Sequence, residues 1–337
     1  MNTIKFAPYN EFVTEQHQVE RGYLKRLEMG DFKGKVYQPC NLDVLVINAC
    51  QNHCFFCIKK NYFGDVTQNT FLESLETAVT RLIEKGITLE ATITGGEPTL
   101  RVPRLVKTIQ LLHRLGVKER TVSTTGVGLL DEYEGRPVIQ HLIDNGYTHN
   151  VSISVMHPNH AINNVLMDHP QRSMVDNLTR DQLQRIARYC NTYGVELRTS
   201  TNLIGNYRGF HGISSLDEII DFVSQQKQIG IYSCLFRELV GNSSAITNCK
   251  VLIKPIQDEI AKDKRFEYVK TIDGMFYNIK LYIYTDADGK QYAVKCYQDT
   301  IVPVTYSRLS FVNGILRAGF DGPELYNHTK ENPNECY

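Results

Sequence analysis

Three cysteines, Cys50, Cys54 and Cys57, stand at offsets of four and three in NACQNHCFFCIKK (48–60). Thiolate sulfur is a soft donor that suits zinc and iron–sulfur clusters. Three ligands in one loop grip a single object and leave it one ligand short of a closed tetrahedral set. Ordinary buried cysteines, or a zinc site completed by His53 or a distant residue, are the plain alternatives. A structural zinc site usually shows a second C-x-x-C pair, and the other cysteines of the chain are scattered. A four-iron cluster on three thiolates keeps one iron open to a further ligand.

Downstream, ITGGEPTL (93–100) closes a β-branched run. Gly95 and Gly96 allow close backbone approach to a ligand, Glu97 adds a carboxylate, and Pro98 fixes the turn. By itself a Gly-Gly pair is only a tight turn. Thr124 in STTG (123–126) and Ser154 in SISV are hydroxyls at strand ends, and Arg198 and Asn202 lie on a fifth strand. A charge among apolar neighbours normally has a partner: Arg198 suits a carboxylate or phosphate, or an internal salt bridge.

The elements that hold these residues alternate. Candidate strands are LDVLVIN (42–48), LEATIT (89–94), RTVSTT (120–125), NVSISV (150–155), VELRTSTNL (195–203) and YSCLFREL (232–239). Segments with apolar residues three or four apart lie between them, each closing on Gly as a helix C-cap does. Such a series predicts an α/β fold, parallel strands with helices outside, and places the marked residues at strand C-terminal ends, where ligands bind. The divisions expected are an N-terminal extension (1–40), a core barrel (41–240) and an α+β appendage over its mouth (241–337). Within the last, KVLIKPIQDEIAKDK reads as a helix, FYNIKLYIYTDADGKQYAVKCY as two strands about a turn, and SRLSFVNGILRAG as a helix.

The spacing C-x3-C-x2-C with an aromatic, Phe56, before the last cysteine, followed by GGEP on the next strand, resembles the radical S-adenosylmethionine (SAM) superfamily. That resemblance implies a partial (β/α)6 TIM-like barrel and a [4Fe–4S] cluster on Cys50, Cys54 and Cys57. It also implies SAM held by the cluster's open iron and by Gly95, Gly96, Glu97 and Pro98, with Phe56, Thr124 and Ser154 nearby. Reductive cleavage of SAM would give a 5′-deoxyadenosyl radical. An external low-potential donor, a flavodoxin or ferredoxin, is implied as the electron source.

The order of motifs, including FRELVGN and SFVNGILRAGF, is similar to the GTP 3′,8-cyclase branch of molybdenum-cofactor synthesis, over roughly residues 41–320. The departures matter. That branch holds a second cluster on a C-x2-C pair and a later cysteine, and here only Cys296 stands in the matching region, so one cluster is expected. Asp43 and Thr92 replace basic positions, which argues against a triphosphate. Cys296 and Cys336 are candidates to return a hydrogen atom to substrate, although structural cysteines are commoner. His157, His160 and His169 sit in HPNHAINNVLMDHP (157–170), read as a loop on the same edge.

Composition narrows the remaining choices. The 337 residues carry 37 basic and 37 acidic side chains, against a general nucleic-acid binder. No run approaches the roughly 18 apolar residues of a membrane span and no signal-peptide core opens the chain, so a cytoplasmic protein is expected. The substrate expected is a small metabolite (amino acid, sugar or nucleotide-derived), since no leader-binding domain is evident. A ribosomally made peptide, and a non-enzymatic metal-binding module, are the alternatives.

Overall fold

The computed structural model describes residues 23–57, 66–170, 176–273, 277–299 and 306–332. Cys336 lies outside them. Among the described residues thirteen strands form one sheet, two-residue ribbons set aside. In chain order they are β1 (Tyr23–Met29), β2 (Phe32–Leu45), β3 (Leu89–Thr94), β4 (Glu119–Thr124), β5 (Asn150–Ser154), β6 (Glu196–Asn202) and β7 (Ser233–Arg237). Then follow β8 (Phe266–Asp273), β9 (Tyr277–Thr285), β10 (Gln291–Asp299), β11 (Tyr306–Val312), β12 (Ile315–Ala318) and β13 (Glu324–Asn327). The principal helices are α1 (Gln68–Glu84), α2 (Val102–Arg114), α3 (Val138–Ile143), α4 (His160–Leu166), α5 (Arg180–Thr192), α6 (Leu216–Gln228), α7 (Ser244–Cys249) and α8 (Ile253–Ile260).

The sheet runs β8-β9-β10-β7-β6-β5-β4-β3-β2-β11-β12-β13, with β1 paired to β2. Its middle, from β10 through β7, β6, β5, β4, β3 and β2 to β11, is parallel throughout. The parallel run includes all six strands read from the sequence, a partial TIM-like barrel. Strands from beyond Leu239 extend the same sheet at both edges.

Local chemistry explains the helices. Thr179 and Ser215 cap α5 and α6 in reciprocal boxes with Gln182 and Glu218, which satisfies backbone donors that a helix start leaves open. One face of the sheet packs on these helices: Phe311 of β11 meets Phe71 of α1, and Phe236 of β7 meets Phe222 of α6. Val44, Ile93, Val122, Ile153 and Val294 are fully buried in the same cluster.

Three local readings are corrected. β2 begins at Phe32, well before Leu42. Pro39 sits between the last β1 pair, Tyr23 with Gln38, and the first β3 pair, Cys40 with Leu89. There a missing N–H leaves little of the ladder unmade. SRLSFVNGILRAG is the β11–β12 hairpin, with Val312 opposite Ile315; Asn313 and Gly314 both take positive φ, +50° and +80°, as a type I′ turn requires. Part of HPNHAINNVLMDHP is helix α4, capped by Asn159, whose side chain accepts from the N–H groups of Ala161 and Ile162.

Candidate active site

The tips of β2 and β3 are laced together immediately before the cysteine loop. Val46 N–H donates to Thr94 O (2.9 Å), Gly96 N–H to Ile47 O (2.6 Å) and Glu97 N–H to Ala49 O (2.8 Å). Arg104, 1% exposed, holds the same strand end by donating to Val46 O at 3.0 Å. The approach leaves no room for side chains. A Cβ on Gly96 would fall 2.0 Å from Ala49 O, and one on Gly95, at φ +149°, 2.4 Å from Ile47 O.

Glu97 is fully buried. Its Oε1 accepts from Thr99 N–H (3.1 Å), Thr99 Oγ1 (2.7 Å) and Thr124 Oγ1; Oε2 accepts from Thr125 N–H and Oγ1, both 2.7 Å. These bonds fill a carboxylate's acceptor sites. The side chain therefore ties the β3 tip to the β4 tip. Thr124 is engaged in that tie, and also accepts from Gly126 N–H (2.8 Å).

Cys50 and Cys54 are half-buried and Cys57 is exposed. Burial, above all, pushes the Cys50 thiol up to about 11 and the Cys54 thiol higher still, and the neighbouring cysteines add to both shifts. Asn52 N–H points at Cys50 Sγ (3.4 Å), and Cys57 N–H donates to Cys54 O (3.1 Å). Phe55 and Phe56 meet edge to face, with centroids 5.1 Å apart, and pack with Cys54 against an apolar group that includes Met156, Met167, Ile204 and Tyr207.

Sequence reading missed the polar brace around this loop. Gln51 Nε2 donates to Thr125 Oγ1 (2.7 Å), and Asn52 Nδ2 to Asn177 Oδ1 (2.9 Å). His169 Nδ1 lies 2.7 Å from Asn52 Oδ1, and His160 Nε2 3.1 Å from Asn177 O. Those two candidate histidines contact the brace. His157 lines a cavity of about 200 Å³ with Thr125, Ser154, His160, Asn177 and Arg180.

The sheet face opposite the helices is polar. Asn41, Thr92, Ser152, Ser154, Arg198 and Asn202 share it by register. Arg198 Nε donates to Ser152 Oγ (3.2 Å), Asn202 pairs with Arg237, and Asp43 is bridged to Arg308 (3.1 Å). Cys296 is on the other face: it pairs with Phe236, is fully buried, and burial raises its thiol to about 12. The side chain does not reach the polar face.

Glu196 and Lys295 meet on that polar face at 2.5 Å. Burial alone would raise the Glu196 carboxyl, yet the charges of Lys295 and Arg198 and bonds from Lys295 and Ser233 hold it at about 2. A carboxyl lowered in the fold stabilises above its unfolded value, about 4.3, and loses that contribution as pH falls toward the folded value. Acid unfolding should therefore steepen between about pH 4.3 and 2. Lys295→Met should narrow that dependence in a pH-resolved melt; an unchanged profile would contradict the pairing.

The family pattern described as the radical SAM superfamily matches residues 44–223. The chain belongs to the radical SAM superfamily of enzymes. A [4Fe–4S] cluster and SAM are the cofactors typical of radical SAM proteins. No curated protein matches the chain significantly. Among solved structures, SuiB of Streptococcus suis, bound to S-adenosylmethionine, is similar at a TM-score of 0.50 and 16% identity, over 67% of this chain and 48% of that one. The chain thus spans about half the length of SuiB. Coproporphyrinogen III oxidase (HemN) of Escherichia coli gives 0.43 and 12%, over 82% and 80%. The methyltransferase TsrM of Kitasatospora setae gives 0.44 and 14%, over 84% and 54%. At such identities the likeness to SuiB shows the fold alone.

The loop fits the radical SAM cofactor set. Three thiols share one loop, the Asn52 N–H points at the Cys50 sulfur, and a glycine cradle abuts the loop. Among the described residues no three His, Cys, Asp or Glu side chains converge as one bare ion requires. That does not count against a cluster, which spreads its thiolates over separate irons. No described helix is long and apolar enough to cross a membrane.

Proposed function

We propose that Cys50, Cys54 and Cys57 hold one [4Fe–4S] cluster and that the chain acts on a small polar metabolite seated against the polar sheet face. The observation that carries this reading is the join between the cysteine loop and the Gly95–Gly96 backbone, at the tips of strands that bear that face. When bound, the reduced cluster and SAM supply a primary carbon radical able to take hydrogen from an unactivated C–H bond; that hard chemistry belongs to the cofactor.

The chain supplies position. Gly95, Gly96 and Pro98 shape the approach to the loop, and Glu97 fixes the β3 and β4 tips relative to each other. Ser154, Arg198 and Asn202 offer a hydroxyl, a guanidinium and an amide to polar substrate groups. Phe55, Phe56 and their apolar neighbours cover the Cys54 side of the loop, which limits water there and helps protect a reactive intermediate. Cys190, Cys234 and Cys296 lie fully buried in the apolar core, which supports a single cluster. The Asp43–Arg308 bridge, which engages the cation where a phosphate would want a free one, favours an amino acid or sugar over a nucleotide-derived substrate. A low-potential electron carrier is the partner this chemistry needs.

Anaerobic incubation of iron-replete protein with SAM, dithionite and candidate metabolites should release 5′-deoxyadenosine. Deuterium carried from a labelled metabolite into that product would identify the attacked carbon. Iron-replete protein that forms no 5′-deoxyadenosine under any of these conditions would overturn the reading.

A further inference from the structure

Asp168 follows α4 in the left-handed region, at φ +48°, and contacts the cysteine loop by two routes. Its backbone carbonyl accepts from His53 N–H at 3.2 Å, between Cys50 and Cys54. Its carboxylate, with the side chain only 11% exposed, accepts from Tyr207 Oη at 3.0 and 2.8 Å and pairs with Arg208 Nη1 at 2.6 Å. The Tyr207 ring in turn stacks on Phe55, centroids 4.0 Å apart and planes 19° from parallel. The Arg208 guanidinium lies 5.0 Å from the Tyr207 ring centre, on its face. The next residue, His169, contacts Asn52.

A cation and an anion therefore sit beside the loop in one fixed pair, the anion mostly covered and the cation 65% exposed at its side chain. Reduction moves one electron from a donor to the cluster and makes it more negative. A nearby anion opposes that step and a nearby cation favours it, and local charge, hydrogen bonding and exposure set cluster potentials.

We propose that Asp168 is a positioning residue for the redox step: it fixes His53 and, through Tyr207, Phe55, and its charge, balanced by Arg208, sets the cluster's reduction potential. The proposal rests on the reading that Cys50, Cys54 and Cys57 hold the cluster. It reaches further, to which residues tune how readily that cluster is reduced.

The test is a potentiometric titration followed by electron paramagnetic resonance, on reconstituted wild type, Asp168→Asn and Arg208→Met, with iron measured in each. Asp168→Asn keeps the shape, removes the anion and leaves the cation unbalanced. Its midpoint should rise by about tenfold in the reduction equilibrium, roughly 59 mV for one electron. Arg208→Met leaves the anion unbalanced and should lower the midpoint, by less, because the cation faces solvent and is screened. A purely structural role would alter iron content and leave no opposite shifts. Equal midpoints in iron-replete wild type and both variants would overturn the proposal. If Asp168→Asn fails to load, Arg208→Met decides alone: a lowered midpoint supports the proposal and an unchanged one overturns it. Wild type that takes up no iron sinks the underlying cluster reading instead.

Discussion

Gly96→Ala should strip the cysteine loop of its cluster while leaving most of the fold intact. The new Cβ would meet Ala49 O at 2.0 Å and Asn48 O at 2.6 Å. Both are backbone atoms, so no side chain can rotate away. Relief requires the β3 tip to part from residues 47–49, which breaks the bonds from Gly96 to Ile47 and from Glu97 to Ala49. Overpacking costs about 1–3 kcal/mol, and each backbone bond about 0.5–1.5 kcal/mol. The sum is on the order of 3 kcal/mol, about a hundredfold in an equilibrium, and it falls on the residue next to Cys50. Iron per chain after anaerobic reconstitution should drop to a small fraction of wild type, while the far-ultraviolet circular dichroism stays close to it. Full loading of Gly96→Ala would show that close packing of the two tips is not what places Cys50.

Glu97→Ala should be the second severe change, and for a reason other than loss of a ligand to SAM. Thr99, Thr124 and Thr125 present five donors to one buried carboxylate. Hydrogen bonds to a charged group are worth about 1.5–3 kcal/mol each, and several vanish together, so a loss on the order of 3–5 kcal/mol is expected. Urea unfolding of the metal-free chain should show it before any cofactor is added. SAM affinity of the reconstituted protein should fall as well, because the β3 and β4 tips lose their tie. A variant as stable as wild type that still lost SAM would mean that the carboxylate acts on SAM itself.

How much of this was legible depends on sequence distance. The cysteine loop and GGEP each lie within one short stretch, and both fall where the alternation of strands and helices predicts. Strand β3 was read to the residue, because LEATIT alternates cleanly and ends on the glycines. The β11–β12 hairpin was missed because Leu309, Val312 and Leu316 also satisfy helical spacing; the Asn313-Gly314 turn was the contrary signal. Nothing local announced the brace. Asn52 finds Asn177 and His169 more than a hundred residues away, and Phe55 finds Tyr207 only after α4 and the tip of β6 have been placed. Cys296 looked like chemistry because cysteine can be reactive, while its register beside Phe236 could be known only from the folded sheet.

One comparison tests the central claim most directly: iron, sulfide and visible absorbance after anaerobic reconstitution of wild type and the Cys50→Ala/Cys54→Ala/Cys57→Ala variant. The account predicts about four irons per chain with cluster absorbance in wild type, and neither in the variant. Zinc without iron in wild type, or equal iron loading in both proteins, would contradict it.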